Sequence, residues 1–258
     1  MRSHIYIDLN SDMGEIPAAI ANGAQEELMR SLTSVNIACG GHAGDEFMMR
    51  ETVHQALRLR LAIGAHPGYR DRKNFGRIAL TLTSDEVAAL VAEQVAALSR
   101  IAEECGARLT HVKAHGALYN QAANDRALSA AIAEGVRRWG GDVLMVGLAG
   151  SAMLEEFRNA GFRAAGEAFA DRRYEPDGTL RSRQLPRAMI TDPAEAAAQA
   201  LSIAAHGRVR AIDGSEIAIE AETICIHGDS LGAAGIAAAA ADALRQSGLT
   251  LRSLAASA

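Results

Sequence analysis

Four histidines stand in short glycine-bearing segments that each follow an apolar run: Gly40-Gly41-His42, Gly64-Ala65-His66-Pro67-Gly68, Lys113-Ala114-His115-Gly116 and Ile226-His227-Gly228-Asp229. Imidazole moves protons near neutral pH and, when neutral, ligates metals. One such residue alone reads as a hydrogen-bonded core histidine, but four at equivalent junctions point to a shared functional cleft. The others, His4, His54, His111 and His206, fall at a terminus, on a helix flank, within a strand and at a helix end.

Carboxylates and a lysine accompany them. Asp8-Leu9-Asn10-Ser11-Asp12-Met13-Gly14-Glu15 puts three carboxylates into eight residues. They offer a general base, a metal ligand or a partner for a cation; the alternative is a solvated acidic turn capping the next helix. Asn36 to Asp45 sets paired glycines beside Cys39, His42 and Asp45. Nothing in the sequence activates the Cys39 thiol, which reads better as a small buried residue than as a nucleophile. Lys113 and His115 are two apart and share a face of an extended segment; if that face is interior, the ammonium requires an anionic partner. There is no GxxxxGK[ST] loop and no GxGxxG after a strand. Gly228-Asp229-Ser230-Leu231-Gly232 enters a helix, where backbone N–H groups would suit a phosphate, though close helix packing explains the same glycines.

Positioning these groups falls to a chain that alternates strand and helix. Apolar runs predict seven strands, at His4–Leu9, Ser34–Ala38, Leu61–Ala65, Leu109–Lys113, Asp142–Gly147, Phe162–Gly166 and Thr223–Ile226. Helical periodicity marks Glu46–Leu59, Glu86–Cys105, Arg126–Trp139, Ser151–Ala160, Pro193–His206 and Ala233–Gln246, with Thr83 and Glu86 spaced as a capping box. Such alternation implies a parallel sheet, and reactive groups at nearly every strand end favour a closed βα barrel over an open sheet, which would gather them at one switch point. Ala168–Arg187 reads as a long loop over the mouth, and Gly207–Glu222 as a hairpin about Asp213-Gly214.

The 258 residues, 49% hydrophobic, suit one domain spanning residues 1–258. A net charge of −5 and an aromatic share of 4% argue against nucleic acid or an anionic membrane as partner. The first residues lack the pattern of a secretory signal and no apolar run would span a bilayer, so a cytoplasmic location is expected. Three widely spaced cysteines indicate neither a disulfide framework nor a CxxC zinc site.

Taken together, the segments Asp8–Glu15, Asn36–Asp45, Gly64–Gly68, Lys113–Asn120, Glu167–Arg172 and Ile224–Asp229 resemble the LamB/YcsF family over nearly the whole chain. Two positions depart from the family pattern: Ala114, and Leu231 where proline is usual. The resemblance implies an irregular seven-stranded βα barrel of the deacetylase-like type. It also implies ATP-dependent opening of 5-oxoproline to glutamate, with Mg2+ accompanying the ATP, no organic redox cofactor, and two partner subunits, B and C. ATP has a physical purpose here, because a five-membered lactam is a stabilised amide whose hydrolysis is near balance or uphill. On this reading Lys113 or Arg172 pairs the substrate carboxylate, His115 or His227 stabilises charge on the amide oxygen, and Asp12 or Asp45 activates water. Asp8, Asn10, Glu15, Asn36, His42, His66, Gly228, Asp229 and Ser230 complete the substrate- and phosphate-binding set. With no nucleotide motif, the chain alone is not expected to turn over ATP. Two rival readings are a metal-dependent amide or acetyl hydrolase holding its ion on Asp12, His42 and His66, and a non-catalytic subunit that binds substrate and docks its partners.

Overall fold

The computed structural model describes residues 6–230 and 232–257, so His4 and Leu231 lie outside the described residues. Seven parallel strands close into a barrel in the order β1 (Tyr6–Met13), β2 (Ser34–Ala38), β3 (Ala62–His66), β4 (His111–Lys113), β5 (Leu144–Leu148), β6 (Ala164–Phe169) and β9 (Thr223–Cys225). The last of these pairs with both β6 and β1, which removes the free edges. Between β6 and β9 the chain makes the antiparallel hairpin β7 (Arg208–Arg210) and β8 (Glu216–Ala218), and β10 (Thr250–Leu251) adds to the start of β1.

The connecting helices follow their sequence signals. Helices α1 (Pro17–Ala21) and α2 (Ala24–Met29), which the periodicity did not reveal, are too short to show it. Asp45 caps α3 (Glu46–Leu59) by accepting from the Met48 N–H at 2.8 Å. Thr83 and Glu86 form the expected capping box of α4 (Ser84–Glu104), whose Val87, Leu90, Val91, Leu98 and Ile101 are buried. The short α5 (Gly116–Ala122) follows β4 directly, and α6 (Arg126–Trp139) lies against α4. Then come α7 (Ala152–Asn159), α8 (Pro193–Leu201), which widens into a π-helical turn through His206, and α9 (Ala233–Gln246). Helices and strands share an apolar shell built mainly from Ala, Val, Ile and Leu.

Two strands, β1 and β6, run at least three residues beyond their expected ends. β1 continues through Met13, so Asp8, Asn10 and Asp12 belong to the strand and are buried, which overturns the solvated-turn alternative. β6 spans Ala164–Phe169 rather than ending at Gly166, which places Glu167 inside the barrel wall. The segment after it, through Arg187, crosses the mouth as expected, held by Gln199 of α8, whose amide donates to the carbonyls of Phe169, Ala170 and Arg172.

Candidate active site

The barrel interior is filled by polar side chains in levels, where branched aliphatics are usual. Period-two alternation turns Asp8, Asn10 and Asp12 of β1 inward in ascending order and leaves Leu9 and Met13 to the apolar shell. At the lowest level Asp8 accepts from the hydroxyls of Thr33 at 2.6 Å, Ser34 at 2.9 Å and Thr223. Burial raises its carboxyl above the usual range, against the lowering effect of those hydroxyls. Above it, the Asn10 amide donates to Thr223 Oγ1 at 2.6 Å and to Glu167 Oε1 at 3.1 Å, and accepts from Asn36 at 2.8 Å. His111 Nε2 bonds Asn36 Oδ1 at 2.9 Å. Its ring occupies the space beside Gly64, where a Cβ would stand 2.2 Å from Nε2, so only glycine fits opposite this histidine. Asp8, Asn10 and Asn36 therefore lie beneath the cavity and support it; none of them lines it, contrary to the binding role expected of them.

The top level carries the charges. Lys113, 3% exposed, places Nζ 2.9 Å from Asp12 Oδ1, 2.9 Å from Glu167 Oε1 and 3.2 Å from Cys225 Sγ. Burial works against the ammonium, but the two carboxylates outweigh it and hold the lysine well above its ordinary range. Asp12 also accepts from Asn36 at 2.9 Å, and its other oxygen lies 3.2 Å from His66 Nε2. Burial alone would raise Asp12; His66 and Lys113 instead draw it well below the carboxylate range. Lys113 is thus neutralised from within the protein, and Asp12 is a weak base. Tyr119 donates to Glu167 Oε2 at 2.9 Å, and burial beside that carboxylate raises the phenol well above its usual range.

Beside Asp12, three histidines and a carboxylate converge. His66 Nδ1 faces the Lys113 carbonyl at 2.8 Å, and His115 Nε2 faces the Phe75 carbonyl at 2.9 Å. A carbonyl only accepts, so these two nitrogens carry the ring protons. The remaining nitrogens, His66 Nε2 and His115 Nδ1, face each other at 3.0 Å. Glu15 Oε1 lies 3.3 Å from His115 Nδ1 and 2.8 Å from His42 Nε2. The His42 and His115 rings stack with centroids 3.5 Å apart, and burial together with the neighbouring histidines holds both well below the usual imidazole range. Gly76, at φ +61°, closes over the stack where a Cβ would lie 2.7 Å from the His42 Cβ.

Across the cavity, Asp171 accepts from the backbone N–H of His227 at 2.9 Å and faces its Nδ1 at 2.9 Å. Burial opposes ionisation of Asp171, but His227 outweighs it and keeps the carboxyl below its ordinary range. The Nδ1 proton is thereby fixed toward Asp171, which leaves Nε2 as the basic nitrogen. The imidazole stacks on Phe169 and, with Asp12, lines a cavity of about 620 Å³ whose roof is the mouth-crossing segment. Arg172 reaches into the same space, 5% exposed; its Nη2 donates to the Arg181 carbonyl at 2.6 Å, its Nε has no partner, and it makes no ion pair among the described residues. Burial and the neighbouring Arg183 pull the guanidinium down to about 10, so it is charged at neutral pH. Arg77 and Arg183, by contrast, both pair with Asp229; burial opposes that carboxylate's charge, but the arginines draw it to about 2.

Of the residues expected to act, Asp12, Glu15, His66, Lys113, His115, Arg172, His227, Gly228 and Asp229 line this cavity. Asp45 does not: it is an exposed helix cap, and its spacing from His42 reflects the turn into α3. Of the trio Asp12, His42 and His66, the two histidines join Glu15 and His115 in one group whose ligating atoms all lie within 4.8 Å of one another, while Asp12 stands outside that group, 3.2 Å from His66 Nε2. Ser230 lies in a smaller adjoining cavity of about 200 Å³ at the start of α9. Sequence reasoning does not single out Glu167, Asp171, Tyr119 and His111 as site residues. Glu167 and Asp171 were within its reach, since both belong to the segment Glu167–Arg172 that follows the expected end of β6.

The sequence pattern of the LamB/YcsF family matches residues 7–258. A Chloroflexus aggregans protein, named as the A subunit of 5-oxoprolinase, is 47% identical over 248 residues, 96% of this chain and 98% of that one. A Bordetella parapertussis protein of the same name is 48% identical over 246 residues, covering 95% and 98%. The solved structure of a lactam utilization protein from Thermus thermophilus superposes with a TM-score of 0.88 at 42% identity, covering 96% of this chain and 99% of that one.

Proposed function

The chain belongs to the LamB/YcsF family, and on that premise we propose that it is the subunit of a 5-oxoprolinase that binds the lactam and opens its ring to glutamate. The observation that carries this reading is Arg172, a buried guanidinium facing the cavity with no carboxylate within ion-pair distance among the described residues. It suits the single carboxylate of 5-oxoproline, whereas Lys113, the other cation expected to pair it, is already held by Asp12 and Glu167. With the carboxylate there, the ring lies between His227 and the Lys113 level.

His227, oriented by Asp171, takes a proton from the attacking water at Nε2. The water oxygen bonds to the lactam carbonyl carbon, the carbon–nitrogen bond breaks, and the proton passes from His227 to the departing nitrogen, which becomes the amino group of glutamate. Asp12, drawn well below the carboxylate range, serves instead to hold Lys113 and His66. ATP enters because direct hydrolysis is poorly driven. Transfer of its terminal phosphoryl group to the amide oxygen makes the carbon electrophilic; ring opening then yields γ-glutamyl phosphate, and a second water releases phosphate. We assign the nucleotide to the partner subunits, since this chain carries no P-loop or GxGxxG sequence, and the reaction to the cytoplasm, where ATP is supplied. Among the described residues no helix is long and apolar enough to cross a membrane.

The test is incubation of 5-oxoproline and ATP with this chain, its two partner subunits, or all three. Glutamate is expected only from the complete mixture. Full activity of the partners without this chain would refute the reading.

A further inference from the structure

We propose that Glu15, His66 and His115 bind a divalent transition-metal ion of the zinc class on the cavity wall. The three atoms concerned, Glu15 Oε1, His66 Nε2 and His115 Nδ1, form a triangle with edges of 3.0, 3.3 and 3.9 Å. Ligands about 2.0–2.1 Å from a tetrahedral zinc stand on the order of 3.3 Å apart, so the triangle has the size of one face of such a site.

The ring protons are placed to suit the same ion. Because the Lys113 and Phe75 carbonyls claim the other ring protons, the two imidazole nitrogens that meet at 3.0 Å are the ones whose lone pairs, in the neutral rings, are free to ligate beside the Glu15 carboxylate. A cation centred between these three atoms would be bonded by all of them at once. A backbone carbonyl on the far nitrogen is also the outer contact that fixes a metal-binding histidine in its ligating tautomer. His42 completes the arrangement by holding Glu15 Oε1 at 2.8 Å. Asp12, 3.2 Å from His66 Nε2, supplies a further carboxylate oxygen on the cavity side. Three protein ligands with the remaining position turned to a cavity describe a site open to a small ligand.

The test uses the untagged full-length chain, stripped with a chelator and titrated with Zn2+ by calorimetry, then desalted for metal analysis; cobalt substitution reports the ligand field. One zinc per chain is expected, with a cobalt spectrum of a mixed nitrogen and oxygen shell. Glu15→Gln and His115→Asn, shown to be folded by near-ultraviolet circular dichroism, should each abolish stoichiometric uptake. His42→Ala should weaken it about 10- to 100-fold, and His54→Ala, on the exposed side of α3, should leave it intact. Absence of stoichiometric zinc in the wild-type chain overturns the proposal, as does binding that survives Glu15→Gln, and so does a shell without two imidazole nitrogens, a result that does not depend on any variant folding. None of these readouts involves 5-oxoproline, ATP or a partner subunit, so the metal site and the proposed reaction stand or fall separately.

Discussion

The Asp171 carboxylate grips His227 twice, one oxygen 2.9 Å from its backbone N–H and the other 2.9 Å from Nδ1. The residue that orients the base thus also fixes the backbone that carries it. Asp171→Asn keeps the size of the side chain but permits the other imidazole tautomer, which turns an N–H toward the cavity. The expected result is a fall in kcat of about 10²–10⁴ with little change in KM for 5-oxoproline, read in the reconstituted complex. An unaltered kcat would remove His227 from the proton path.

Arg172 is expected to contribute binding energy through charge-assisted hydrogen bonds of about 1.5–3 kcal/mol. Arg172→Gln should therefore raise the KM or Kd for 5-oxoproline by about 10- to 100-fold. Binding of 2-pyrrolidinone, the same ring without the carboxylate, should not change. Equal weakening of both ligands would mean that the arginine shapes the cavity rather than pairing the acid.

Lys113 holds two buried carboxylates apart. Lys113→Met leaves Asp12 and Glu167 facing each other without a cation, and breaking a buried pair in this way costs about 3–5 kcal/mol. Urea unfolding should show that loss near neutral pH, with partial recovery in Lys113→Met/Glu167→Gln, where one of the stranded charges is gone. A double variant no more stable than the single one would argue against electrostatic stranding as the cause.

His111 gives the fold an acid sensitivity of definite sign. Burial holds its folded-state value down to about 3, whereas an unfolded chain has the ordinary imidazole value of 6.5. Between these limits the unfolded state binds the additional proton, so stability rises with pH across the window and is lost as the solution is acidified from about 6.5 toward 3. His111→Gln removes this contribution. Its stability, measured by urea unfolding through that range, should depend on pH less steeply than that of the wild-type chain; parallel slopes would refute the assignment.

Much of the architecture was legible because α/β periodicity is local. Arg126–Trp139 and Ala233–Gln246 carry their apolar stripes and stop signals within themselves, and both form helices at those bounds. β1 was shortened because Asp8, Asn10 and Asp12 look like a polar turn unless the opposite side of the strand is known to be polar too. The same blindness to cross-barrel partners hid Glu167: its importance lies in Lys113 and Tyr119, 54 and 48 positions away along the sequence.

The histidines illustrate the other limit. Their clustering at strand ends was visible, and His66, His115 and His227 do line one cavity. Their division of labour was not, because it depends on which carbonyl each ring meets. His227 has a free nitrogen; His115 has one committed to Phe75 and the other turned to His66. Tautomers are set by tertiary contacts, and spacing does not encode them.

Closure of the barrel by β9 against β1 also orders events during synthesis. Asp8 and Asn10 leave the ribosome long before the residue that both bond, Thr223, which lies 215 and 213 residues later. Until that strand is released, the inward carboxylates of the amino-terminal strand lack part of their bonding and the half-built sheet has two open edges, a state that favours chaperone capture and aggregation. The cavity is thus a late product of translation, and a nascent chain stalled before Thr223 will hold most of the helices but no working site.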